Sequence, residues 1–371
     1  MPDRVLFVAY TADWTGPSNS LLLLIRHLGK RVDPLVVMPG EGLLAEALRA
    51  ERIPYVSVKS LGTASIPGLR RLIKRRGIEL VYANTASRVS RNALVASRLA
   101  GRPFICHVRS MGWKKKWTEL GFLKYSNAVI AVSEACGKSV ERFCRPGRLH
   151  VIHNGVEIDS MAVPDRQGAR RHLEAVAGLP ADAFAIISVS HISQRKGSIE
   201  AVRAFSTVAS SDSRAHLILV GSLHREPAYV DAVRKEIAQG GLQKRVCLTG
   251  FREDAIRLMQ GADLFLHTAA SDPHPRSVVE AMACRLPVVA YSVDGVAETV
   301  ENGVTGMLVP HGDLNALAAS LKAVMSDPGS IASMRTSGPE IARSRFSATA
   351  TANGVAAIMS MLSDFVSLTA Q

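Results

Sequence analysis

GADLFLHTAASDPHPRSVVEAMACRLPVVAYSVDGVAETVENGVTG, residues 261–306, is the stretch whose reading decides the fold. Residues 264–267 are an apolar run with the length of a buried strand, and residues 287–291 are another. Between them Val278, Val279, Met282 and Ala283 recur on one side of a helical period. Strand, loop, helix, strand is the unit of a parallel sheet covered on both faces. Ligands of such sheets bind beyond the carboxyl ends of the strands, so chemistry is expected at the loop 269–276 and the helix it opens. Two acids mark the place, Asp272 and Glu280.

The same alternation runs outward in both directions. Strand-like runs stand at residues 4–10, 34–38, 54–58, 80–83, 103–107, 128–132 and 149–152, separated by helical stretches. A second series stands at 185–189, 216–221, 246–250, 264–267, 287–291 and 307–309. Between the series, residues 159–181 are polar and carry Pro164, Gly168 and Pro180, as a linker or short helical crossover would. The pattern predicts an α/β protein of two doubly wound parallel sheets. After the first strand, the segment from Thr11 to Ser20 leads through Gly16 into an apolar helix, an arrangement in which helix N-terminal amides favour an anion.

Read in order, Gly261-Ala262-Asp263, the Ser271 to Ala283 run, Leu286-Pro287-Val288-Val289-Ala290, Gly295-Val296-Ala297-Glu298 and Asn302 to Pro310 resemble the donor half of family-four retaining glycosyltransferases of the GT-B fold. The resemblance implies two Rossmann-like domains facing an interdomain cleft. The first, residues 1–158, would bind the acceptor; residues 159–182 would be a linker; residues 183–343 would bind the nucleotide sugar; and residues 344–371 would form a helix crossing back to the first domain. In that family an acid, seven residues and a Glu frame the donor, so Asp272 would hold sugar hydroxyls and Glu280 the ribose. A carboxylate suits both tasks because it accepts two charge-assisted hydrogen bonds from a vicinal diol. Pro275, Arg276 and Ser277 would lie against the donor beside them. The chain departs from the pattern in reading Asp272-Pro273-His274-Pro275 where Glu-Gly-Phe-Pro is usual.

Elsewhere the resemblance implies further site residues. Ser190 to Gly197 matches the segment in which Lys196 would meet the donor diphosphate, with His191 where an arginine is usual and Arg195 as a compensating charge. Gly250-Phe251-Arg252 matches the segment lying against the nucleotide base. Gly16 occupies a turn where two glycines are usual, near diphosphate and acceptor. His107, in His-Val-Arg-Ser, would stand at the cleft edge close to the reacting sugar, and Arg109 is a candidate for an acceptor anion. The implied reaction is transfer of a hexose from a UDP- or GDP-sugar, UDP favoured, to an acceptor hydroxyl with retention. No cofactor and no metal are expected, and front-side attack assisted by the leaving phosphate is favoured over a covalent intermediate.

Charge divides the 371 residues unevenly. Residues 1–150 hold 25 Lys and Arg against 10 Asp and Glu, so the net +13 of the chain lies wholly in that part. Such asymmetry indicates an anionic partner: a nucleic acid, an acidic acceptor or an anionic membrane leaflet. The basic segment from Arg70 to Arg76, and Trp113 to Trp117 with Lys114, Lys115 and Lys116 between the indoles, resemble the membrane-facing side of enzymes that glycosylate lipid-linked acceptors. Apolar runs are too short for a membrane span or a signal peptide, and five cysteines without metal spacing suggest a reduced compartment, so a cytoplasmic protein, peripheral on the membrane's inner face, is expected. The expected acceptors are lipid-linked or saccharide hydroxyls in cell-surface polysaccharide, lipopolysaccharide or glycolipid synthesis. A GT-B epimerase or phosphorylase would use the same scaffold. A non-catalytic nucleotide-sugar-binding or nucleic-acid-binding protein is the reading from another class, although the basic part carries no recognised nucleic-acid motif.

Overall fold

The central strands of this chain are short and apolar on both sides of the pleat, which a sheet covered on both faces satisfies. A computed structural model describes residues 1–112 and 116–369, and they divide into two units. Unit 1 comprises Met1–Gly155 and Ser347–Gln371; unit 2 is Val156–Phe346. Residues 113–115, and with them Trp113, Lys114 and Lys115, lie outside the described residues.

Unit 1 contains β1 (Arg4–Val8), β2 (Asp33–Pro39), β3 (Tyr55–Val58), β4 (Leu80–Ala83), β5 (Phe104–Val108), β6 (Ala128–Ala131) and β7 (Leu149–Val151). They form one parallel sheet in the order β3-β2-β1-β4-β5-β6-β7. Along β1 the pleat sends Val5 and Phe7 into one core and Leu6 and Val8 into the other. The helix Gly16–Leu28 buries four consecutive leucines, Leu21 to Leu24, more than a one-sided helix needs. The last helix, Ala348–Thr369, explains it: its Ala352, Val355, Ile358, Met359 and Leu362 share one core with Leu21, Leu24 and Ile25, so the earlier helix is covered on two sides.

Unit 2 repeats the plan with β8 (Phe184–Val189), β9 (Ala215–Val220), β10 (Val246–Gly250), β11 (Leu264–His267), β12 (Val288–Tyr291) and β13 (Gly306–Val309). Their parallel order is β10-β9-β8-β11-β12-β13. In each sheet the chain winds one way from its first strand, then returns and winds the other way from that strand's opposite side. The crevices at the carboxyl ends, between β1 and β4 and between β8 and β11, are therefore where the loops diverge and leave room for a ligand.

The expected linker at 159–182 is corrected by the structure. It holds a helix, Arg166–Ala177, that belongs to unit 2 and packs on the helix Ala255–Gly261. Gly168 and Gly178 lie in the first turn and at the C-cap of that helix. Asp165 caps Gly168 N at 2.8 Å, and a Cβ on Gly168 would lie 1.9 Å from that carboxylate. Gly178 closes the helix in the left-handed region, φ 65°. Among the described residues no helix is long and apolar enough to cross a membrane.

Candidate active site

In unit 2 the first residues beyond β8 fold into a short turn, Gln194–Lys196, stitched to the end of β11. Thr268 Oγ1 donates to Gly197 O at 2.7 Å, Ala270 N donates to Arg195 O at 2.9 Å, and Arg195 Nη1 donates to Ser271 O at 2.8 Å. Gly197 is obligatory here: φ is +71°, and a Cβ would stand 2.0 Å from Thr268 O. This seam brings Lys196 to Asp272. Their Nζ and Oδ2 atoms are 2.5 Å apart, with side chains 13% and 9% exposed.

Behind the pair lies His267, the last residue of β11, with Nε2 3.5 Å from the same Asp272 oxygen. Burial alone would raise the Asp272 carboxyl, but the adjacent His267 ring and the charge of Lys196 outweigh it and hold the acid below the usual carboxylate range. Burial lowers the proton affinity of His267 despite the neighbouring Asp272. On the other side the turn after β12 closes the loop: Ser271 Oγ donates to Asp294 Oδ2 at 2.5 Å, and Gly295 N donates to Asp272 O at 3.1 Å.

His191 sits half-buried at the carboxyl end of β8. Its proton affinity is lowered first by burial and then by Arg225, Lys196 and Arg195. Three cations surrounding one imidazole at a sheet's switch point form a positive corner that attracts an anion.

One turn inside the helix Arg276–Ala283, Glu280 Oε1 is 3.4 Å from Arg276 Nη2, and both side chains are about four-fifths covered. Pro275 precedes that helix as its N-cap, and Ser277 is half-buried in its first turn. Phe251, directly after β10, is 71% exposed and offers an open ring face. Arg252, the next residue, donates to both oxygens of Asp254 at 2.8 and 2.7 Å, and Asp254 also holds His172 at 2.6 Å.

Unit 1 holds the other expected residues. His107 points inward from β5 and is 0% exposed, a core residue rather than one at an edge. Its Nδ1 accepts from Arg109 Nη2 at 3.1 Å and contacts the Tyr82 hydroxyl, and its Nε2 is buried with no partner. Burial, then the Arg109 charge, push its proton affinity well down. Arg109 is itself committed, donating to Asn84 O at 3.1 Å, to Asn84 Oδ1 at 3.0 Å and to Asn154 Oδ1. Gly16 is the first residue of its helix, with Thr15 as N-cap, and a Cβ there would meet nothing within 4 Å, so no steric need explains this glycine. His267, Arg225 and Asp294 escaped the sequence reading. The only signal for His267 was its place at the end of β11, which carries meaning once β11 is known to lie beside β8.

Residues 14–160 match the family described as Glycosyltransferase Family 4, and residues 170–341 match Glycosyl transferases group 1. The chain is 23% identical over 282 residues to the UDP-Gal:alpha-D-GlcNAc-diphosphoundecaprenol alpha-1,3-galactosyltransferase of Escherichia coli, covering 71% of this chain and 70% of that protein. It is 29% identical over 245 residues to alpha-maltose-1-phosphate synthase of Mycobacterium tuberculosis, covering 58% of this chain and 61% of that protein, less than two thirds of its length. Among solved structures, HepE of Anabaena in complex with UDP superposes with a TM-score of 0.87 at 26% identity, covering 96% of this chain and 100% of that one. The same protein has also been crystallised with UDP-glucose. With both halves matched in chain order and one fold shared over nearly the full length, the chain belongs to the family 4, group 1 glycosyltransferases of the GT-B fold.

Proposed function

We propose that the chain transfers a hexosyl group from a UDP-sugar to a hydroxyl of a lipid-linked or saccharide acceptor, with retention at the anomeric carbon. The observation that carries this reading is the buried pair of Lys196, in the turn after β8, and Asp272, in the loop after β11, with Arg195 beside it. A diphosphate needs fixed cations at the moment its bond to the sugar breaks, and a buried ammonium stabilises that charge without reorganisation. UDP is favoured over GDP because HepE, 26% identical, is known in complex with UDP and with UDP-glucose. On donor binding Lys196 exchanges Asp272 for the diphosphate, Asp272 accepts from sugar hydroxyls, Glu280 holds the ribose and Phe251 lies against the base. The acceptor oxygen attacks the anomeric carbon on the face the diphosphate leaves, and its proton passes to the departing phosphate oxygen.

Location at the cytoplasmic face of a membrane, in polysaccharide, lipopolysaccharide or glycolipid synthesis, is part of this proposal. It is supported by the helix Ile66–Arg75, whose Arg70, Arg71, Lys74 and Arg75 are exposed, lying beside the helix Arg88–Leu99 with exposed Val95 and Leu99. Cations around apolar side chains suit an anionic lipid surface.

The test is calorimetry on Glu280→Ala together with an assay for UDP release from UDP-glucose and UDP-galactose. Loss of the charged acceptor should weaken UDP binding by about 1.5–3 kcal/mol. Unchanged UDP affinity in a folded variant removes Glu280 from the site. Product with inverted configuration by NMR overturns retention.

A further inference from the structure

Among the described residues three besides glycine have a left-handed backbone: Arg52 at φ 57°, Arg285 at φ 64° and Asp294 at φ 39°. The first two stand where helices commonly end in that conformation. Each lies two residues beyond a helix, and Ile53 N and Leu286 N donate back to Leu48 O and Ala281 O, the bonds that close a helix terminus. Asp294 ends no helix. It is the first central residue of the turn from Val293 to Val296, closed by a bond from Val296 N to Val293 O at 2.8 Å, between β12 and the short helix Val296–Thr299. With Gly295 following at φ −70°, this is the primed-turn pattern whose first position favours glycine.

The glycine of the pair stands second, for a reason of contact. A Cβ on Gly295 would lie 2.1 Å from Pro273 O, so the turn is pressed against the loop that carries Asp272, and Gly295 N donates to Asp272 O at 3.1 Å. Aspartate enters the left-handed region more readily than most residues, but glycine would enter it without strain, so the side chain at 294 needs a reason of its own. That reason is Ser271. Ser271 Oγ donates to Asp294 Oδ2 at 2.5 Å, and it is the only polar partner of this carboxylate among the described residues. Ser271 in turn precedes Asp272 in the chain, and its carbonyl oxygen accepts from Arg195 Nη1 at 2.8 Å. The loop 269–276 is therefore held twice: to the turn Gln194–Lys196 through Arg195, and to the turn after β12 through Asp294 and Gly295.

We propose that Asp294 is a positioning residue for the donor sugar: through Ser271 it fixes the loop on which Asp272 stands, and the strained backbone at 294 persists for the sake of that bond. The inference rests on the donor reading above, in which Asp272 accepts from sugar hydroxyls, and adds a residue that acts on the sugar through the loop. Hydrogen bonds weaken steeply with misalignment, so a small drift of the loop reduces the hold on the sugar. Glu280 and Phe251, on the helix Arg276–Ala283 and after β10, keep their places for the rest of the nucleotide.

The test compares the full chain with Asp294→Gly, Ser271→Ala, the double variant and Asp294→Asn. Affinities for UDP, UDP-glucose and UDP-galactose are measured by calorimetry, and amide exchange of residues 269–276 is followed by mass spectrometry without ligand. Removing the carboxylate or the hydroxyl should lower the affinity for at least one UDP-hexose about fivefold relative to UDP, the scale of one lost hydrogen bond. The double variant should be no worse than either single one, because both changes remove the same bond. Asp294→Asn keeps an acceptor for Ser271 Oγ and tolerates the left-handed backbone, so it should keep the wild-type ratio. Exchange in the loop should quicken in Asp294→Gly and Ser271→Ala, while the urea midpoint of Asp294→Gly stays near wild type, since relief of strain offsets the lost bond. An unchanged ratio of UDP-hexose to UDP affinity, additive losses in the double variant, or unchanged loop exchange overturns the proposal. Failure of wild type to bind UDP sinks the donor reading instead, and the exchange rates then decide by themselves whether Asp294 holds the loop.

Discussion

Lys196 and Asp272 hold each other in the ligand-free protein, and this contact decides what their variants should do. If the ammonium serves the departing diphosphate, Lys196→Ala should lower kcat about a hundredfold or more, by analogy with removing one preorganised donor from a transition-state anion. His191→Arg should keep or raise activity, because the imidazole is already surrounded by cations and is neutral there. Steady-state kinetics with circular dichroism separate these outcomes from misfolding, and a folded Lys196→Ala enzyme with normal turnover would exclude the lysine from the chemistry. The same imidazole gives a pH prediction. Its folded-state pKa lies below the unfolded value of about 6.5, so the unfolded chain binds the proton first as pH falls, and His191 costs stability below that value. A diphosphate beside it reverses the surrounding charge and favours the imidazolium. UDP binding near the ordinary imidazole pKa of about 6.5 should therefore take up more protons than in His191→Gln, measured by calorimetry in buffers of different ionisation enthalpy; identical proton uptake in the two proteins would place the diphosphate elsewhere.

At the scale of elements, the site depends on how tightly the turn after β8 is joined to the end of β11. Gly197 has a left-handed φ and a Cβ position 2.0 Å from Thr268 O, whereas Gly178, also left-handed at φ 65°, has nothing within 4 Å. Gly178→Ala should cost only the backbone term of about 1 kcal/mol, while Gly197→Ala must also push the β11 loop away and should cost at least about 2–3 kcal/mol. Urea unfolding reads the difference, and equal midpoints would mean that the joint is soft. This contrast also shows where element reading from sequence stops. The thirteen strands among the described residues are legible as strand-like runs, the central ones most clearly, because a strand buried on both faces carries its signal locally. The segment with the helix Arg166–Ala177 reads in sequence as a linker or short helical crossover, because Pro164, Gly168 and Pro180 punctuate a polar stretch, and only packing on the helix Ala255–Gly261 decides for the helix.

For the whole molecule, the two units have separate sheets and separate cores, and the chain returns to unit 1 only with its last helix. Removing residues 347–371 should uncover Leu21, Leu24 and Ile25 and forfeit burial worth on the order of 5–10 kcal/mol, comparable to the whole stability of a domain. Hydrogen exchange should then show β1 to β5 unprotected while β8 to β13 stay protected and respond to UDP; retained protection in unit 1 would show that the helix is dispensable. The sequence by itself determined the α/β class, the two parallel sheets, and the candidates Lys196, Asp272 and Glu280, since period, strand length and an ordered motif are all local properties of the chain. Strand order is not local. Only the tertiary structure set β8 beside β11, which brought His267 against Asp272 and His191 among cations, and only it buried His107 under the guanidinium of Arg109. The physical reason is that burial and charge pairing act through space at a few ångströms, between residues whose separation along the chain carries no trace of it.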